Sequence, residues 1–136
     1  MGAKLLTIPL LAFFLCAGTS FAQTSDAIKK EQEKYMQKQL EDYNNRVDAY
    51  VNLLKVDDFK ATIIKQKIEE FYKKRHEILM SEVSEFEKQP LIEEFKATLF
   101  SDVNELYTEE TIMSIQRFLT DNKTEVKNLK KKLKNN

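Results

Sequence analysis

From Gln23 to Asn136 this chain contains no glycine. Both glycines (Gly2, Gly18), the only cysteine (Cys16) and one of two prolines (Pro9) come earlier. A chain without glycine has few cheap routes to positive φ, so tight hairpins and phosphate-cradling loops are largely closed to it. With Pro90 as its only proline, the body of the chain is expected to be all-α.

The first 22 residues read as an export signal. Lys4 supplies one positive charge, Leu5 to Cys16 is an apolar run interrupted only by Thr7 and Pro9, and Ser20-Phe21-Ala22 sets small residues at −3 and −1 before Gln23. The run is shorter than the ~20 residues a spanning helix needs. Two other readings are weighed. A lipid anchor on Cys16 is disfavoured because bulky Leu15 precedes it, and an uncleaved anchor helix is disfavoured by the clean cleavage site. The expected layout is a signal peptide over residues 1–22 and a single soluble helical domain over 23–136, in the periplasm or secreted.

The chain carries 22 basic and 22 acidic residues. Lys4 falls in the signal, so the remainder has one acid in excess. That balance argues against nucleic acid as a partner, which calls for a strongly basic face. The body has no cysteine for a disulfide, so its stability must come from apolar burial. The charge is uneven. Nine acids against Lys88 and Lys96 lie between Ser81 and Glu110, and seven basic residues against Asp121 and Glu125 lie from Arg117 onward. These runs are read as solvated helix faces, although the acidic middle and basic end could also attract each other within one fold or between subunits.

Periodicity predicts four helical segments. The first spans about Ser25 to Leu54, where Met36, Leu40, Tyr43, Val47, Tyr50 and Leu54 step by 4, 3, 4, 3, 4. This is a coiled-coil spacing, and it suggests a homodimer paired along the seam. The second starts at Asp57, a good N-cap, and carries Phe59, Ile63, Ile64, Ile68, Phe71, Ile78, Leu79, Val83 and Phe86 on its apolar face. Lys55-Val56 offers so little loop that the first two segments could approach one rod. The sharpest break is expected near Pro90, because the residue before proline resists helical geometry. The third segment runs from Leu91 to about Leu106. The fourth opens at Thr108 and continues through Ile112, Ile115, Leu119, Val126, Leu129 and Leu133, with Asn122 interrupting the face.

No catalytic constellation emerges. His76 is the only histidine and Lys73 precedes it by three, so a di-iron Glu-x-x-His pair fails, and Cys/His zinc sites fail by count. Ser81, Ser84, Ser101 and Ser114 sit in helical contexts without an oxyanion loop. Adjacent acids such as Glu69-Glu70 and Glu93-Glu94 do not face each other on a helix. No catalytic, metal or cofactor residues are therefore assigned, and an enzyme ranks last. Two features keep a binding option. Tyr35, Tyr43 and Tyr50 share or flank one stripe, and tyrosine joins apolar area to a wet tip, which makes them candidate client-binding residues. Their commoner role at such spacing is helix packing. The Lys127–Lys134 run could meet anionic lipid, but it is read first as a helix end whose cations complement the dipole.

Asp57 and Thr108 each open a helix just after an apolar pair, 51 positions apart. With the export signal and the glycine-free body, this resembles the Spy/CpxP group of periplasmic proteins, which carries two Leu-Thr-x-x-Gln motifs at helix starts. Val56-Asp57-Asp58-Phe59-Lys60 stands for the first motif and Tyr107-Thr108-Glu109-Glu110-Thr111 for the second. Of the motif residues only Thr108 is kept, since Asp57 replaces the other threonine and Lys60 and Thr111 stand where the glutamines would be. The resemblance implies a thin helical hairpin or cradle, often dimeric, that holds unfolded clients or monitors envelope stress without ATP. The expected function is thus a non-enzymatic interaction protein of the cell envelope, chaperone-like or stress-sensing. The alternative is an adaptor that pairs through its coiled-coil seam with one fixed partner.

Overall fold

The computed structural model describes the backbone from Ile8 and side chains from Ser25 onward. The export signal, residues 1–22 with Cys16 and the cleavage site, lies outside the residues whose side chains are described. Among the described residues all regular structure is helical: α1 (Ile8–Leu53), α2 (Asp58–Met80), α3 (Glu85–Thr98), a short 3-10 turn (Asn104–Leu106), α4 (Glu109–Thr120) and α5 (Asn122–Lys134). The chain is all-α, as its missing glycines require. It divides into two compact units, Met1–Asn44 and Asn45–Asn136, and the division falls inside α1.

Helix α1 ends where Lys55 takes a left-handed conformation, φ 52°. Glycine commonly holds this post-helical position, and a side chain there costs about 1–2 kcal/mol. Amides of Leu54 and Lys55 close the end onto the carbonyls of Val51 (3.1 Å) and Asn52 (3.4 Å). The first two segments are thus separate helices and not one rod. The side chain of Asp57 then caps α2 by accepting from the Lys60 amide at 2.9 Å, and Asp58 meets the positive pole of the dipole.

The remaining boundaries also depart from expectation: the third segment is Glu85–Thr98 and not Leu91 to Leu106, with Asn104–Leu106 a separate 3-10 turn. The break after α2 comes at Ser81–Ser84 and not at Pro90. Ser81 turns to extended geometry (ψ 163°) and its hydroxyl donates to the Ile78 carbonyl at 2.6 Å. Ser84, also extended, donates to Glu87 at 3.0 Å across the first turn of α3, the Ser-x-x-Glu arrangement of a helix start. Pro90 sits inside α3. The carbonyl it deprives of a donor belongs to Phe86, which is exposed to water. The fourth expected segment is two helices. Asp121 leaves helical geometry and its carboxylate accepts from the Thr124 amide (3.1 Å) and hydroxyl (2.6 Å), starting α5 afresh. These hydrogen bonds hold the Asp121 carboxyl below its ordinary value.

The core of the second unit gathers Val47, Tyr50 and Val51 from α1, Ile64, Ile68, Phe71 and Ile78 from α2, Ile92 from α3 with Leu99 and Phe100 just beyond, and Ile115, Phe118 and Leu119 from α4. Tyr50 stacks on Phe118 with ring centroids 3.9 Å apart, and Phe71 stacks on Phe95 at 6.4 Å. Polar ties cross between elements. Lys65 meets Asp48 at 2.7 Å, Lys67 reaches both oxygens of Asp102 at 2.8 and 2.9 Å, and the Tyr107 hydroxyl donates to the Lys60 carbonyl at 2.8 Å. Phe59, Leu79 and Phe86, placed on the apolar face of the second segment by periodicity, are exposed.

Candidate functional site

The heptad seam of α1 has two fates. Tyr35, Met36 and Leu40 are 64, 69 and 60% exposed. Tyr43 is half-buried, and Val47, Tyr50 and Val51 are buried. The three candidate tyrosines therefore do not form one surface. Tyr35 lies in the open and accepts a hydrogen bond from Gln39 one turn on, at 2.7 Å. Tyr50 is fully buried, so it is core and not a client contact. The far half of the seam is covered within the chain, since Phe118 of α4 lies on Tyr50, and it offers no face for a coiled-coil partner. The caps Asp57 and Thr108 both serve as helix starts, with Thr108 Oγ1 accepting from the Thr111 amide at 3.2 Å.

Tyr50 leads into a buried polar chain that joins α1, α4 and α5. Its hydroxyl lies 2.9 Å from Ser114 Oγ, and Ser114 donates to Glu125 Oε1 at 2.7 Å. Serine has one hydroxyl proton, and it is given to the carboxylate, so Tyr50 must be the donor to Ser114. Arg117 completes the chain from the solvent side, with Nε 3.0 Å from Glu125 Oε2 and a terminal nitrogen 3.3 Å from Oε1. Burial pushes the Tyr50 phenol well above its ordinary value. The hydrogen bond to Glu125 raises that of Arg117.

The serine and the glutamate of this chain are only 3 and 2% exposed. The Ser114 proton goes to Glu125 and one of its lone pairs takes the Tyr50 hydroxyl, so both of its hydrogen-bond partners belong to neighbouring helices. The arrangement fastens α1, α4 and α5 together. Sequence reasoning placed Ser114 in a helix and left Glu125 as a surface charge. The signal missed was an acid set on the apolar side of a helix beside Val126 and Leu129.

A second feature lies next to this chain. Arg46 and α5 border a groove of about 740 Å³ whose apolar floor is Ala49, Phe118 and Val126. Its rim carries Arg46, Lys123, Lys127, Lys130, Lys131 and Lys134. Among the described residues none of these six cations makes an ion pair. Lys132, on another side of α5, is paired with Glu110 and holds that carboxyl below its ordinary value.

His76 is exposed on α2. Among the described residues no group of three or more His, Cys, Asp or Glu side chains is placed to hold a metal ion, and no helix is long and apolar enough to cross a membrane. Comparison with protein-family models, curated proteins and solved structures finds no match to this chain.

Proposed function

We propose that this chain is an exported interaction protein of the cell envelope, which acts by binding protein surfaces and not by catalysis, in the manner of an ATP-independent chaperone. The observation that carries this reading is the open part of the α1 seam. Tyr35, Met36 and Leu40 are each at least 60% exposed within two helical turns. Ile28, further up the same helix, is 50% exposed. Large apolar side chains grouped on a solvated helix mark a contact surface. Methionine and tyrosine suit varied partners, one through flexibility and the other through its mixed character. Around them stand Glu33, Lys34, Lys38 and Glu41, charges of both signs that keep the helix soluble while leaving the apolar stripe accessible. The Ser20-Phe21-Ala22 cleavage pattern and the Spy/CpxP-like helix openings at Asp57 and Thr108 support the envelope setting.

The test is suppression of aggregation of a chemically denatured client by the chain, compared with a Tyr35→Ser/Met36→Ser/Leu40→Ser variant. The variant should lose most of the protection and keep its melting temperature, because serine at exposed helix sites costs only a few tenths of a kcal/mol each. Equal protection by the variant would discard the α1 surface. A chain that protects no client but copurifies with one partner through the same residues would instead be a fixed-partner adaptor. Intact mass of the exported protein should correspond to a chain starting at Gln23.

A further inference from the structure

The basic groove on α5 has a counterpart elsewhere on the second unit. Between α2 and the first turn of α3, Met80 is 75% exposed, Val83 37% and Phe86 93%. A phenylalanine this bare in a folded unit leaves nearly its whole ring in water. It is flanked by Glu82, Glu85 and Glu87. Glu85 is tied to Lys88 at 2.6 Å, whereas Glu82 and Glu87 have no ion pair among the described residues. The molecule thus carries an apolar tip ringed by acids and, separately, an apolar floor ringed by cations.

We infer that the groove of one copy receives the Phe86-tipped segment of a second copy, so that the protein associates with itself head to tail. Four observations favour a second copy as the occupant. The charges are opposite, with six cations on the groove rim and the Glu82 and Glu87 carboxylates at the tip all without an ion pair among the described residues. The apolar parts match in kind, since Phe86 and Met80 need cover and the floor formed by Ala49, Phe118 and Val126 offers it. The groove volume of about 740 Å³ lies within the usual range for a site that encloses side chains of this size. Finally, both surfaces stay open in the folded unit, so the acidic middle and basic end of the sequence are not spent on each other within one chain. Among the described residues that attraction is realised internally at Glu110 alone, through its ion pair with Lys132 and the nearby Arg117. The contact is heterologous and leaves a free tip at one end and a free groove at the other, so it continues until a ring closes or a chain of copies forms. It uses none of the α1 residues assigned to client contact, and the two readings can fail separately.

Sedimentation velocity on the exported protein over a range of concentrations tests this inference. The wild type should form species larger than a dimer. It should weaken about tenfold or more between ~0.01 and ~1 M salt, as the screening length drops from about 30 to 3 Å. A tip variant, Phe86→Ser/Glu87→Lys, and a groove variant, Lys127→Glu/Lys130→Glu/Lys131→Glu, should each remain monomeric. All five positions are exposed, and circular dichroism melts should show both variants folded. Mixed in equal amounts, the two should form a dimer and nothing larger, because each supplies the surface that the other lacks. Wild-type protein that is monomeric at about 1 mM, where even a weak contact of some 4 kcal/mol would show, overturns the inference. So does either variant associating like the wild type, or a mixture that stays monomeric. Retention of anionic detergent by the wild-type groove in a protein that never self-associates would assign the groove to an amphiphile and equally overturn it.

Discussion

Helix α1 has one seam at one spacing, and its two stretches live in different solvents. Met36 and Leu40 face water, whereas Val47 and Tyr50 are 6 and 0% exposed. A step of 4, 3, 4, 3 says which residues share a face. It cannot say whether that face is covered by the same chain, by another, or by nothing. The cover on the second stretch comes from elsewhere in the sequence, from Phe118 and Ser114 on α4, which meet Tyr50.

Truncating one residue on each stretch separates the two most sharply. Tyr50→Ala should destabilise the unit Asn45–Asn136 by about 3–5 kcal/mol, the range for large buried aromatics. That is a drop of some 4–8 °C in melting temperature per kcal/mol. Leu40→Ala should stay within about 0.5 kcal/mol. Equal losses in denaturant titrations would mean that the exposed stretch is also packed. A smaller effect is expected from Glu125→Ala, about 2 kcal/mol, because it strands the buried Ser114 hydroxyl while leaving half-exposed Arg117 to water. If Tyr50→Ala is already present, the second loss should shrink, since both act through one hydrogen-bonded chain. Smaller again, Lys55→Gly should raise stability by up to ~1 kcal/mol by relieving the left-handed residue that ends α1, offset in part by the entropy of glycine in the unfolded chain.

The least effect is expected from acid. Asp102, Glu110 and Asp121 are held below their ordinary values of 3.8, 4.5 and 3.8 by Lys67, Lys132 and Thr124 respectively. A depressed carboxyl stabilises the fold above its ordinary value, and the contribution is lost as pH falls through the lower folded value. Stability should therefore be flat near neutrality and decline only below about pH 4. These groups are exposed, so salt should blunt the decline. All three belong to the second unit, so a decline shared by residues 25–44 in hydrogen exchange would contradict the division.

Much of this was legible. The missing glycines implied helices, and Asp57 and Thr108 announced two helix starts through their side-chain oxygens. The boundaries at Ser84 and Asp121 are written in the same code, as Ser-x-x-Glu and Asp-x-x-Thr, with Pro90 and Asn122 as stronger but misleading breaks nearby. Proline warns of a break only where a carbonyl four residues back would be stranded in the interior, and here it belongs to exposed Phe86. The polar chain was not legible, because Tyr50 and Ser114 are separated by 64 positions. The one local hint is that Glu125 stands beside Val126 and Leu129 on the apolar side of its helix.

The buried glutamate also has a geometric consequence. Glu125 is the one fully buried residue of α5, and with half-buried Val126 and Leu129 beside it it fixes the helix in azimuth as a key fixes a shaft. One residue of slip along the helix would swing every side chain by about 100°. The five lysines of the groove rim share one side of α5 through their spacing, and that anchor turns the side outward, so an acid hidden from solvent aims the charges that solvent sees.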